Sequence, residues 1–123
     1  MPHIIIEVSD DKLICHPEQL LASINQSLWQ SNHFKQPTEI KTRLYTAAHA
    51  LSGVAADDHQ AFIMVHFYLL AGRDDATIRH LNQTIAQTIH QHMAVIESYQ
   101  SKAKLQICVN STELSNNYVK QLF

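Results

Sequence analysis

The hydrophobic pattern of this chain passes from a short strand-like run to the 3.6-residue step of a helix and then to the two-residue alternation of a strand, and it does so twice. Ile4, Ile5, Ile6 and Val8 are β-branched, and the turn-forming Ser9-Asp10-Asp11 closes them off, which predicts a first strand. Pro17 suits the first turn of a helix and Glu18 lies near its positive end. Leu20, Leu21, Ile24 and Leu28 then recur at helical spacing, so a first helix is expected to about Asn32. Beyond Pro37, Ile40, Thr42, Leu44 and Thr46 alternate with Lys41, Arg43, Tyr45 and Ala47, the pattern of a second strand. The cycle then repeats. Phe62 to Leu70 is nearly all apolar, as in a strand buried on both faces. Gly72 permits a sharp turn, and Asp74 or Asp75 can cap a helix whose stripe is Ile78, Leu81, Ile85, Ile89, Met93 and Ile96. Leu105, Ile107 and Val109 alternate with Gln106 and Cys108 as a fourth strand.

The pattern predicts an α/β (α+β) fold of two β-α-β halves, at about residues 2–52 and 60–110, with Ser52 to Asp58 as their link and residues 111–123 as a polar tail in which Leu122 and Phe123 could dock. Parallel strands within each half would put both helices on one face of a four-stranded sheet. The second face then needs another cover, most simply neighbouring subunits. A length of 123 residues suits one domain over 1–123, and 16% charged residues are few to coat the apolar surface of a fold this small, which again favours self-association.

Composition removes several function classes. A formal charge of −2 without any basic run disfavours nucleic-acid binding. The apolar stretch Ala61 to Ala71 contains His66 and is too short to span a membrane. Met1-Pro2-His3 leads into a short apolar run without the basic segment or cleavage site of a secretory signal, so a cytoplasmic protein whose mature form begins here is expected. Cys15 and Cys108 fit neither a zinc site nor a disulfide framework and are expected to be reduced, buried thiols.

Nine histidines raise the question of a metal, but His90 and His92 point to different sides of one helix and no His-Glu-x-x-His spacing occurs, so no metal site is assigned. His66 reads as a satisfied core histidine. With only Gly53 and Gly72, no glycine-rich phosphate cradle can form and no nucleotide cofactor is expected. A Gly-x-Ser-x-Gly elbow and an activated thiol are also missing.

The N-terminus remains. Initiator methionine is normally removed before proline, which would leave Pro2 with a free secondary amine. An α-amino group titrates near ~8 in model peptides, and apolar neighbours with nearby cations disfavour its protonated form, so Pro2 is a candidate general base. Position alone favours the plainer view that Pro2 merely opens a strand. Lys41, Arg43 and Tyr45 share one face of the second strand, making it polar and basic. Arg73, placed before a helix start where a cation opposes the dipole, is a candidate for holding a ligand carboxylate. Taken singly, each of these cations is more simply read as a solvated surface group.

Together the residues resemble the 5-carboxymethyl-2-hydroxymuconate isomerase family of the tautomerase superfamily. The resemblance rests on Pro2-His3 with Ile4-Ile5-Ile6, Glu7 and Ser9-Asp10, on Ile40-Lys41-Thr42-Arg43, on Ala61-Phe62 and Ala71-Gly72-Arg73, and on Asn116 to Phe123. It implies a cofactor-free isomerase in aromatic catabolism (homoprotocatechuate degradation), a homotrimer with sites at subunit edges, and an amino-terminal proline as base, carried here by Pro2. It also implies cations that hold the carboxylates of a small anionic substrate, carried here by Arg73 and Lys41. Where the family usually has arginine this chain has Lys41, and Arg43, two residues on along the same face, could compensate. The alternative in another class is a non-catalytic, ferredoxin-like small-molecule binding or regulatory module, which has the same element order.

Overall fold

The computed structural model describes residues 2–55, 60–93 and 104–123. In chain order the elements are β1 (His3–Val8), α1 (Pro17–Gln30), a short 3-10 turn (Pro37–Glu39), β2 (Lys41–Thr46), β3 (Gln60–Leu70), α2 (Asp75–Gln91) and β4 (Lys104–Leu114). The strands form one sheet in the order β2-β1-β3-β4. β1 is parallel to β2 and β3 to β4, and the halves join through the antiparallel β1–β3 pair. The expected repeat of two β-α-β units is present, with the first strand of each unit at the centre.

The core lies between the helices and one face of this sheet. Ile4, Ile6 and Val8 of β1 and Ile63, Val65, Phe67 and Leu69 of β3 are almost wholly buried in one cluster with Leu20, Ile24 and Leu28 of α1 and Leu81, Ile85 and Ile89 of α2. Alternation makes this possible, because every second side chain of a strand points to the same face. Each such burial contributes about 1.5–3 kcal/mol. The two helices start differently. Pro17 occupies the first turn of α1, whose cap position, His16, makes no side-chain hydrogen bond. In α2 the Asp74 carboxylate accepts the Thr77 N–H at 2.8 Å, which satisfies a helix-end donor.

Several boundaries and surroundings differ from expectation. α1 stops at Gln30 rather than near Asn32, because Asn32 adopts a left-handed backbone (φ 63°) that ends the helical ladder. β4 runs to Leu114, into the stretch expected to be tail. Its polar Asn110 to Glu113 show no apolar alternation, but β3 supplies backbone partners as far as Leu70. The outer face of β3 is only half-buried within the chain, so the unbroken apolar run does not mean burial on both sides. Cys15 and Cys108 are free thiols but exposed rather than buried, Cys108 because its register places it on the uncovered side of the sheet. His66 is likewise on that side and 32% exposed, with Nε2 at 3.3 Å from Glu7 Oε1, so it is not a core histidine. Met93 lies beyond α2, bridged to Ile14, while Ile96 and the last part of the link, residues 56–58, fall outside the described residues. Leu122 and Phe123 are fully exposed and dock nowhere on their own chain.

Candidate active site

Strand direction decides which candidates can meet. β1 and β2 begin, and β3 and β4 end, at the same edge of the sheet, so Pro2, Lys41 and the Gly72-Arg73 turn after β3 share one end of the molecule. Pro2 is buried at the opening of a central strand, the one place where a residue without an N–H costs no ladder hydrogen bond. Its carbonyl accepts the Lys41 N–H at 3.1 Å, which locks the start of β2 in register beside it. A second tie comes from α1. Asn25 Nδ2 donates to the Ile40 carbonyl at 3.4 Å, and the Thr42 hydroxyl donates to Asn25 Oδ1.

The face of the sheet away from the helices carries the polar side chains. His3 pairs with Lys41 on one side and Tyr68 on the other, and the next row is Arg43, Ile5 and His66. The expected basic face of β2 is therefore real, and it is the open face. Lys41 is exposed and its Nζ donates to the Thr38 carbonyl at 3.3 Å. Arg43 is half-buried, with a guanidinium nitrogen 3.2 Å from His3 Nδ1. Arginine has only donors, so His3 Nδ1 is the acceptor and the ring proton sits on Nε2. Burial, and then the cations Arg43 and Lys41, hold the His3 pKa below its ordinary value, which agrees with a neutral ring.

Arg73 reaches the same end by another route. Its guanidinium donates to the carbonyls of Leu70 (3.2 Å) and His33 (3.0 Å) and lies 5.1 Å over the ring of Phe34, itself nearly buried. It ties the end of β3 to the loop after α1 and holds the cation against an aromatic face. The structure thus gathers Pro2, Lys41 and Arg43 along the β1–β2 pair, while Arg73 is anchored on the adjoining turn. Sequence reasoning overlooked His3 and Phe34. Nothing local marked either, because the parallel β1–β2 register brings His3 beside Lys41 and the loop after α1 brings Phe34 under Arg73.

Two grooves lie elsewhere, one of about 470 Å³ between the helices beside Ser23, Ser27, Thr88 and His92, the other of about 410 Å³ at Cys15, His16 and Pro17. Among the described residues no group of three or more His, Cys, Asp and Glu side chains is placed to hold a metal ion. Among them, too, no helix is long and apolar enough to cross a membrane.

A model of the family described as 5-carboxymethyl-2-hydroxymuconate isomerase matches residues 2–121. A search of curated proteins finds no match. Among solved structures, the fold is similar to a 5-carboxymethyl-2-hydroxymuconate isomerase from Deinococcus radiodurans R1, with TM-score 0.80 and 18% identity over 98% of this chain and 88% of that one. It is also similar to a 5-carboxymethyl-2-hydroxymuconate delta-isomerase, with TM-score 0.74 and 15% identity over 100% of this chain and 89% of that one. A fused 4-OT described as a symmetric trimer shares the fold at TM-score 0.63 and 15% identity, over 90% of this chain and 85% of that one.

Proposed function

The chain belongs to the 5-carboxymethyl-2-hydroxymuconate isomerase family of the tautomerase superfamily, and from that premise we propose that Pro2, freed by removal of Met1, is the base that shifts a proton in an unsaturated hydroxy acid carrying two or more carboxylates. That the chain is an isomerase follows from the family. The residues and the substrate are our reading, supported above all by the locked pair of Pro2 and Lys41, which sets a buried amine position against the start of a cationic strand.

In this reading the substrate is a 2-hydroxy-2,4-dienoate such as 5-carboxymethyl-2-hydroxymuconate. The Pro2 nitrogen takes the proton of the 2-hydroxyl, the electron pair moves through the diene, and the proton is returned at carbon 5 to give the 2-oxo-3-ene. No redox change occurs and no cofactor is needed. Apolar neighbours and cations at this end disfavour the protonated form of such an amine. Arg73, Lys41 and Arg43 hold the carboxylates and stabilise the developing enolate. A homotrimer completes the site, its copies covering the half-buried Phe62, Met64 and Tyr68 of the open face, in a single cytoplasmic domain. The family match does not favour the non-catalytic binding module.

The test compares wild type with Pro2→Ala on the muconate enol, after intact mass has established loss of Met1. The expected loss in kcat/KM is about 10²–10⁴-fold, the range for removing a positioned base. Equal rates in the two proteins reject the mechanism.

A further inference from the structure

Two cations on the open face of β2 could receive a substrate carboxylate, and the structure treats them differently. Register puts Arg43 opposite Ile5, two residues down the strand from the Pro2 end. Its guanidinium nevertheless lies 3.2 Å from His3 Nδ1, so the side chain leans back diagonally across the β1–β2 pair toward Pro2. Lys41, directly opposite His3, is exposed and sends Nζ to the Thr38 carbonyl in the turn before β2.

We propose that His3 is a positioning residue that fixes Arg43, rather than Lys41, as the strand-two group that receives a substrate carboxylate. The proposal rests on the reading that this end of the sheet is the substrate site. His3 uses only one ring nitrogen to hold Arg43, at NH1. The other guanidinium nitrogens remain for a bidentate carboxylate, which an ammonium cannot match. A planar fork needs a fixed plane, and the imidazole supplies it from the neighbouring strand. The ring must be neutral to accept. The groups facing it are Lys41 and Arg43 from β2 and Tyr68 and His66 from β3, with Glu7 further along its own strand. The two β2 cations, after burial, favour the neutral ring.

The experiment uses Met1-processed protein and trans,trans-muconate, a diene dicarboxylate with no enol proton to lose, as a calorimetric probe. Arg43→Ala is expected to weaken muconate binding about tenfold or more, and His3→Leu about three- to tenfold. His3→Asn, whose Oδ1 can accept in place of Nδ1, restores most of the affinity. In the double variant His3→Leu/Arg43→Ala the loss matches that of Arg43→Ala alone. ¹⁵N NMR of the imidazole is expected to show an unprotonated Nδ1 in wild type, with the titration moving up in Arg43→Ala. The proposal falls if His3→Leu binds muconate as wild type does, if His3→Asn is as impaired as His3→Leu, if the two losses simply add, or if wild type binds no muconate. None of these readouts requires turnover, so an active Pro2→Ala overturns the base assignment without touching this one.

Discussion

The two faces of the sheet are built from the same four strands and obey opposite rules. Toward the helices, Ile4, Ile6, Ile63, Val65 and Phe67 lose essentially all contact with water. Away from them, the intervening residues include His3, Glu7, Lys41, Arg43, His66, Tyr68 and Cys108, half-buried or exposed within the chain. One face holds the fold together and the other carries the candidate chemistry and, in the proposed trimer, the surface for further copies. The lesson is that a one-residue step along β1 or β3 passes from stability to function.

The sharpest way to break this contrast is to truncate neighbours on opposite faces. Phe67→Ala is expected to cost about 3–5 kcal/mol of stability, measured by urea unfolding at fixed protein concentration, because it removes a fully buried ring and leaves a cavity. Tyr68→Ala, one residue on, should leave the helical circular dichroism intact and shift sedimentation toward smaller species. Equal unfolding losses, with no change in mass, would remove the distinction between the faces.

A milder probe of the covered face is Ile24→Val, which removes one methylene from fully buried packing and is expected to cost about 0.5–1.5 kcal/mol in the same assay. A gain instead would mean that α1 is overpacked against the sheet.

Asp74 tests the ends of the helices rather than the faces. Its hydrogen bonds with Thr77 hold its carboxyl below the usual value, so its contribution is complete above the ordinary carboxylate pKa and is lost as pH falls through the lower folded one. Asp74→Ala should therefore melt below wild type at neutral pH, and the gap should close in strong acid. His3 has the same sign for a different reason. Its depressed folded pKa favours the neutral ring, so its contribution is present above the ordinary histidine value and declines as pH falls toward the folded one. The smallest effect belongs to the Glu7–His66 pair, which is exposed on the open face. Glu7→Gln is expected to change stability by only about 0–1 kcal/mol, and a larger loss in thermal melts would show the pair to be shielded by another copy.

Much of the architecture was readable in advance, element by element. The β-branched run Ile4-Ile5-Ile6 with Val8 and the helical stripe from Ile78 to Ile89 gave β1 and α2, and the cap was visible in the Asp74-Asp75 pair before that stripe. The placement of Lys41 and Arg43 on one face of β2 followed from alternation and is seen in the structure. What escaped was set by partners distant in sequence. Asn110 to Leu114 extend a strand only because β3 continues beside them. Cys108 and His66 look like core residues by their neighbours in the chain, yet both point away from the helices. The approach of Arg43 to His3, and the stacking of Arg73 on Phe34, each join residues some 40 positions apart.

By itself the sequence determined the repeated strand-helix-strand cycle, the amphipathic stripes and the presence of proline and cations in recognisable places. Each of these depends on local backbone geometry, which a few consecutive side chains can dictate. Only the tertiary structure decided that β1 and β3 lie side by side at the centre, that Pro2 is buried against the start of β2, and that His3 rather than solvent meets Arg43. Those outcomes depend on strand order and register, which are chosen by the collective burial of one face and leave no mark in any short stretch of chain.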